Sequence, residues 1–493
     1  MTTPTTFIAS SGSEWEIVCG LEVHVELATA TKLFCSCPNR FGAEPNTNVC
    51  PVCLGLPGSL PVLNEKAVEF ALRVGEAFGF TVPAVSVFHR KNYFYPDMPK
   101  NFQTTQYDEP ICAHGSLDVA GTRIGITRAH LEEDTGKSTH MGGSGGRIHG
   151  ASHSLVDYNR AGVPLLEIVS EPDIRTAEQA VAYVDELRAT LKAIGVSDVK
   201  MEEGSLRVDA NVSVRPVGTE AFGTRCEIKN LNSLKSLRDA IDYEALRQAD
   251  LIESGDAVVQ QTRLWNENTG ITAAMRSKEE AYDYRYFPEP DLVPVAPTDE
   301  LRAHVHSTMP ELPSARRARL TTEWGITDKD ARTLLGVDGL ADYAEAAVAL
   351  GASGRDVTIW ASQDVLAHLN ASGSSPALLD PAVLVELLGL VTDGTISRNQ
   401  AKDVLAEALA ETRMPRAIVE ARGLAQVSDT GALSLALDDV LAANADAVAE
   451  YRSGDDKVKK KKRGFLMGEA MKALKGQGNP QLLNRLLDEK LDA

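Results

Sequence analysis

Four prolines crowd one short stretch, Pro288, Pro290, Pro294 and Pro297, and neither a helix nor a central strand runs through such a sequence. The chain must therefore fold as separate parts on either side of it. Before the prolines, short segments alternate apolar and polar residues with turn residues between them, which is the period of strands. Leu21-Glu22-Val23-His24-Val25-Glu26-Leu27 alternates strictly, and Leu206 to Val214 places Leu206, Val208, Ala210, Val212 and Val214 on one face. Helices intervene. Thr176-Ala177-Glu178-Gln179 fits a capping box, Val181, Val184, Leu187, Leu191 and Ile194 follow at helical spacing, and Gly195 fits the stop. Beyond the prolines the pattern is Ala/Leu-rich with a helical period, as in Asn399 to Leu409 and Leu433 to Val448, while Asn370 to Pro376 reads as a loop. The expected fold class is α+β: a mixed or antiparallel sheet domain over 1–297, an all-α domain over 298–422, and a small all-α tail over 423–493. A chain of 493 residues exceeds what one core usually holds.

The segment Met1 to Glu14 lacks the basic and apolar regions of a signal peptide, and no apolar run approaches the roughly 20 residues that span a bilayer. A cytoplasmic protein without a membrane partner is expected. The net charge of −19 argues against non-specific nucleic-acid binding, which needs a broad cationic surface. One segregated basic run, Lys457, Lys459, Lys460, Lys461, Lys462 and Arg463, is the candidate for a local basic site, against the plain reading of a solvated loop. Of the 7 cysteines, Cys35, Cys37, Cys50 and Cys53 sit together. Two close thiol pairs framed by Pro38, Gly42, Pro45, Pro51 and Gly55 suit a closed, structural zinc site, against buried free cysteines.

In Leu21 to Leu27, period two puts Glu22, His24 and Glu26 on one face. Alone, that is the polar side of a half-solvated sheet. The device recurs in Arg128-Ala129-His130-Leu131-Glu132-Glu133-Asp134, in Glu202-Glu203 leading into Arg207, Asp209, Asn211, Ser213 and Arg215, and in Glu227 and Lys229. Neighbouring strands would then present carboxylates, a histidine and cations to one surface. Oxygen ligands suit Mg²⁺, and Arg and Lys suit phosphate oxygens. Phosphoryl transfer needs positioning and charge neutralisation more than a strong base. The arrangement reads as a sheet-based cradle for ATP and Mg²⁺. It is not a P-loop, because Leu131 stands where Gly136-Lys137-Ser138 would require the first glycine. The run Gly142-Gly143-Ser144-Gly145-Gly146 reads as a hairpin loop and not as an amidase serine region. Two aromatic and basic segments, His89 to Asn101 and Asp283 to Asp291, read as loops able to stack a base and hold phosphate.

Gly20 to Leu27, Lys91 to Phe102, His130 to Lys137, Asp157 to Leu165, Glu202 to Val214, Glu227 to Asn232 and Arg276 to Asp291 together resemble, in order, the B subunit of the bacterial tRNA-dependent amidotransferases. Phe465 to Lys472 and Asn479-Pro480 are similar to that family's small C-terminal helical domain. The resemblance implies a first domain similar to the catalytic domain of glutamine synthetase. It implies that ATP phosphorylates the side-chain carboxylate of Glu-tRNA(Gln), and of Asp-tRNA(Asn), before ammonia displaces the phosphate. A partner amidase (glutaminase), the A subunit, would supply the ammonia, while a small C subunit would clamp the pair. It further implies that Glu22, His24 and one or both of Glu132 and Glu133 hold Mg²⁺, joined by Glu202 or Glu203 and by Glu227. Arg207, Lys229 and the segment with Lys91 are then the candidates for phosphate and substrate. Two rival classes remain to be weighed: a non-catalytic zinc-containing nucleic-acid-binding protein, against which the clustered acids argue, and a self-contained glutaminase, for which no nucleophile with its base is evident.

Overall fold

The structure is a computed structural model that describes residues 6–142, 150–277, 281–425, 430–474 and 478–492. Two compact units divide the chain, Met1–Pro313 and Ser314–Ala493.

The first unit is built on strands β1 (Thr6–Ile8), β2 (Glu14–Glu26), β3 (Phe88–Asn92), β4 (Phe102–Gln106), β5 (Cys112–Val119), β6 (Thr122–Glu133), β7 (Lys137–Met141), β8 (His153–Asp157), β9 (Pro164–Ser170), β10 (Leu206–Pro216), β11 (Cys226–Lys229), β12 (Gln261–Asn266), β13 (Ile271–Ser277) and β14 (Phe287–Pro288). The main sheet runs β13-β12-β11-β10-β2-β9-β6-β4-β3-β14, with β1 on β2 and β5 on β6. Its pairs are antiparallel except β11 with β12, so the sheet is mixed, as expected. The strands β7 and β8 form a separate hairpin; Gly143, Ser144, Gly145 and Gly146, read as its loop, lie outside the described residues.

Strict alternation decides which side of the sheet is wet. Val23 and Val25 of β2, Leu166 and Ile168 of β9, Leu131 of β6 and Val208 and Ala210 of β10 are all buried in one core. That core is closed by helices α1 (Glu65–Ala77), α2 (Ala177–Ala193) and α3 (Leu234–Glu253), through Phe70 and Val74, Tyr183 and Leu187, and Leu237 and Ile241. Thr176 caps α2 by accepting from the Gln179 amide at 3.1 Å, and Gly195, at φ +72°, follows its last turn. The opposite face is left to the polar residues of the same strands. Helix Asp299–Thr308 follows the prolines yet buries Val305 in this first core.

The second unit is helical and carries two apolar clusters. One surrounds Leu384, Leu387, Val404 and Leu405 of helices Pro381–Thr392 and Arg398–Glu411, the latter with a full capping box from Ser397 and Gln400. The other gathers Leu433, Leu437, Leu466, Ala470, Leu483 and Leu487 from helices Thr430–Ala443, Asp456–Ala473 and Pro480–Asp492. Among the described residues, no helix is long and apolar enough to cross a membrane.

Four local expectations change. The run Lys457–Arg463 is not a loop: Asp455 caps helix Asp456–Ala473 through the Val458 amide at 2.9 Å, and Lys462 and Arg463 pair with Glu450 and Asp488. His89 to Asn92 lie in strand β3, so the loop begins only at Tyr93; proline at 96 ends the strand but does not reach back into it. Asn370 to Ser372 finish a helix before the loop begins. Leu433 to Val448 is two helices, separated at Asn444.

Candidate active site

Register assembles the site. On β2, His24 pairs with Arg207 of β10 on one side and Glu167 of β9 on the other, and Glu167 pairs in turn with His130 of β6. Glu22 pairs with Asp209, and Asn211 pairs with Glu227 of β11. Directly paired residues share a face. The polar face thus carries a continuous row of titratable side chains across five strands.

They fall into two trios, in each of which one ligand atom from every residue lies within 4.8 Å of the others. The first is His24, Glu132 and Glu167. His24 Nε2 stands 3.5 Å from Glu167 and 3.8 Å from Glu132, and His130 Nε2 stands 3.5 Å from Glu167 on the other side. Burial pulls the His24 imidazolium down, but the hydrogen bond and charge of Glu167, then the charges of Glu132 and Asp209, outweigh it and hold it at about 9. Burial, with Arg128, His24 and Lys91 beside it, pushes His130 down to about 4 against the charge of Glu167. Burial and then Glu167 push Glu132 up to about 7. Burial also opposes ionisation of Glu167 itself, but the two histidines win and hold it well below the usual carboxylate range. The second trio is Glu22, Asp209 and Glu227. Lys229 Nζ binds Asp209 at 2.6 Å and Glu227 at 3.0 Å, Asn211 donates to Glu22 at 2.8 Å, and Thr262 donates to Glu227 at 2.9 Å. Burial, then Glu167 and Glu227, push Glu22 up.

At roughly 5 Å and an effective dielectric of about 20, two carboxylates repel by about 3 kcal/mol. Lys229 offsets part of this charge, and the second trio presents the hard oxygen donors that fit a divalent cation such as Mg²⁺. The first trio offers two carboxylates and an imidazole that must shed its proton to ligate. Beside both trios opens a cavity of about 410 Å³, lined by His24, Arg207, Asp209, Lys229, Asn230 and Asn232 among others, a volume suited to a small-molecule ligand.

Placement of the other candidates follows from the same alternation. Arg207 is beside the cavity, paired with Asp134 at 2.8 Å; burial pushes Asp134 up, but Arg207 and Arg160 outweigh it and hold it low. Lys91 lies on β3, its ammonium 4.8 Å from the Tyr284 ring, and its charge reaches Glu132 and Glu167. Glu133 is not brought into either trio: next to Glu132 in sequence, it turns to the other face, where it binds Lys100 and the Thr104 amide. Glu202 and Glu203 are not brought in either: both are exposed in the turn before β10, Glu203 paired with Lys200 at 2.8 Å. Sequence reasoning missed Glu167 and gave Asp209 no ligand role. The available signal for Glu167 was a single acid inside the apolar strand Leu165-Leu166-Glu167-Ile168-Val169.

The sulfurs of Cys35, Cys37, Cys50 and Cys53 also lie within 4.8 Å of one another. Cys50 and Cys53 are 3.8 Å apart, close to the edge of a tetrahedron with ~2.3 Å metal–sulfur bonds. A hydrogen bond from Cys35, against burial and with help from the Cys50 amide and Lys32, lowers Cys53 to about 5. The donor set is that of a metal held by thiolates. The loop is braced independently, by Asn46 and Asn48 amides donating to Asp157 and Asn159 at 2.9 and 2.8 Å.

Comparison with known proteins places the chain in a family. Residues 17–303 match the GatB/GatE catalytic domain and residues 342–491 match a GatB domain. The B subunit of the aspartyl/glutamyl-tRNA(Asn/Gln) amidotransferase of Myxococcus xanthus is 50% identical over 485 residues, covering 97% of this chain and 99% of its own. That of Moorella thermoacetica is 51% identical over 484 residues, covering 97% and 100%, and that of Picosynechococcus sp. is 48% identical over 492 residues, covering 97% and 98%. With likeness of this order across nearly the whole of both chains, the protein belongs to the family of aspartyl/glutamyl-tRNA(Asn/Gln) amidotransferase B subunits.

Proposed function

We propose that the polar sheet face is a kinase and amidation centre acting on tRNA-borne glutamate, and on tRNA-borne aspartate. The observation that carries this reading is the pair of acidic trios set side by side on one face, with Arg207 and Lys229 at the cavity beside them. A carboxylate oxygen of Glu-tRNA(Gln) attacks the γ-phosphorus of ATP, the bond from that phosphorus to the bridging oxygen breaks, and ADP leaves. Ammonia then adds through nitrogen to the acyl carbon, phosphate leaves with the electrons of the C–O bond, and nitrogen sheds its proton to solvent. Bound Mg²⁺ would offset the charge of the phosphates and acids gathered here. Glu22, Asp209 and Glu227 would hold one ion, and His24, Glu132 and Glu167 another. Lys229 and Arg207 neutralise transferring oxygens, each anchored by an acid, Asp209 and Asp134, that fixes where its cation points. The likeness in chemistry to the glutamine synthetase catalytic domain belongs to this same reading.

In this reading 1–297 is the catalytic cradle, 298–422 a helical domain and 423–493 a tRNA-binding tail. Zinc holds the Cys35, Cys37, Cys50 and Cys53 loop. Ammonia comes from a partner amidase, the A subunit, with a small C subunit completing a cytoplasmic heterotrimer. The test is ATP-dependent amidation of Glu-tRNA(Gln) by the assembled complex. Glu22→Gln and His24→Ala should each abolish amidation while partner glutamine hydrolysis survives in part. Normal amidation by either variant would refute the assignment.

A further inference from the structure

The acidic trios leave the far edge of the same face unused. There, aromatic rings form a continuous shelf. Tyr107 and Tyr286 stack with centroids 4.2 Å apart and planes at 10°. Tyr286 meets Tyr284 edge-on at 6.2 Å, Tyr284 meets Tyr93 at 6.4 Å, and Tyr107 meets His89 at 6.1 Å. Register explains the shelf. Phe287 pairs with Arg90, so Tyr286 comes opposite Lys91; Tyr107 stands two residues beyond Thr105, which pairs with both His89 and Glu132. The shelf therefore lies on the side of the sheet that faces away from the core helices, and it ends at Glu132. Tyr286 registers that neighbour: burial, then the charges of Glu132 and Glu167, raise its hydroxyl above the usual range. Tyr107 remains 41% exposed, and Lys91 sets a cation over Tyr284.

Stacked rings with an open edge, a cation and a reactive centre at one end are the surface a nucleobase takes. The two substrates of the centre each bring an adenosine, that of ATP and that at the aminoacyl end of tRNA. From β4, which ends beside Tyr107, to β9, which carries Glu167, is two interstrand steps, roughly 10 Å. That reach suits a ribose and an esterified glutamate and is short for a ribose and three phosphates. The shelf is also at the sheet edge, open to a macromolecule, whereas the 410 Å³ cavity lies on the other side of His24. We infer that this shelf receives the terminal adenosine of aminoacyl-tRNA, with its base stacked on Tyr107 and its glutamate reaching the carboxylate centre. The inference rests on the reading that the centre acts on a tRNA-borne carboxylate.

The test uses the full-length chain and two ligands, tRNA(Gln) and the same tRNA trimmed of its 3′ adenosine. Wild type should bind the trimmed tRNA roughly 5- to 150-fold more weakly, the range of one base–aromatic stack. Tyr107→Leu should bind both at the trimmed level, and Tyr107→Phe, which keeps the ring, should restore the discrimination. Binding of ATP, measured in parallel, should be the same for all three proteins. Discrimination that persists in Tyr107→Leu, or is missing in wild type, would overturn the inference. Weakened ATP binding in Tyr107→Leu with tRNA discrimination intact would overturn it in favour of the ATP base. Failure of the underlying reading is separate: it would show as absent ATP-dependent amidation by the wild-type complex, whatever the tRNA affinities.

Discussion

Glu167 is the residue on which the first trio turns. It stands 3.5 Å from each of two histidines and holds His24 protonated against the pull of burial. Removing its charge leaves Glu132 as the remaining carboxylate of the trio. Glu167→Gln should therefore lower the amidation kcat by more than the roughly 10–100-fold typical of residues that only support a metal ligand. Glu203→Gln, exposed in its turn and, among the described residues, paired with Lys200, should leave kcat within about twofold because it lies outside both trios. Steady-state kinetics of the two variants check this, and equal effects would contradict the placement. Glu22, His24, Glu132 and Glu227 could be read because each sits on the polar face of a strand whose other face is aliphatic. Glu133, offered with Glu132, and Glu202 or Glu203 are placed away from the trios: a neighbour in sequence is on the opposite face of a strand, and a turn has no face at all. Glu167 was hidden because its neighbours are apolar on both sides, so its strand reads as core.

Two elements make separate predictions. The loop between β2 and α1 gathers four thiols within 4.8 Å, while its asparagines already brace it against Asp157 and Asn159. Protein purified without chelator should contain about one zinc per chain by metal analysis. Cys50→Ser with Cys53→Ser should abolish it and lower the melting temperature, because metal binding free energy adds to folding free energy. Metal-free wild type of unchanged stability would rule the site out. In the tail, helix Asp456–Ala473 turns the basic run into a defined surface. Lys462 and Arg463 are committed to ion pairs, whereas Lys457, Lys460 and Lys461 are exposed and make no ion pair among the described residues. Replacing these three with glutamine should weaken Glu-tRNA(Gln) binding and flatten its log–log salt dependence by roughly 2 to 3 units, one phosphate contact each. Titration at several salt concentrations measures that slope, and an unchanged slope would remove this helix from the tRNA site. The sequence showed the charge of this element but not its form, since a lysine run carries no apolar period; the cap at Asp455 and the buried Leu466 and Ala470 decide it.

At the scale of the molecule, the sheet's polar face is one surface spanning the aromatic shelf, the two acidic trios and the 410 Å³ cavity. The α+β class and the change to helices after the prolines were readable, because periods of 2 and 3.6 are local properties. Strand order was not. That β2 lies between β9 and β10, far from both in sequence, is what brings His24 to Glu167 and Glu22 to Asp209, and no local pattern contains it. In the proposed reaction this surface activates a carboxylate by making it a phosphoryl acceptor. That step can be followed by charging tRNA(Gln) with glutamate labelled with ¹⁸O in its side-chain carboxylate and amidating it with ATP and ammonium in the assembled complex. One labelled oxygen per turnover should appear in the inorganic phosphate released, and Glu22→Gln and His24→Ala should release none. Glutaminyl-tRNA formed while the phosphate stays unlabelled would contradict it.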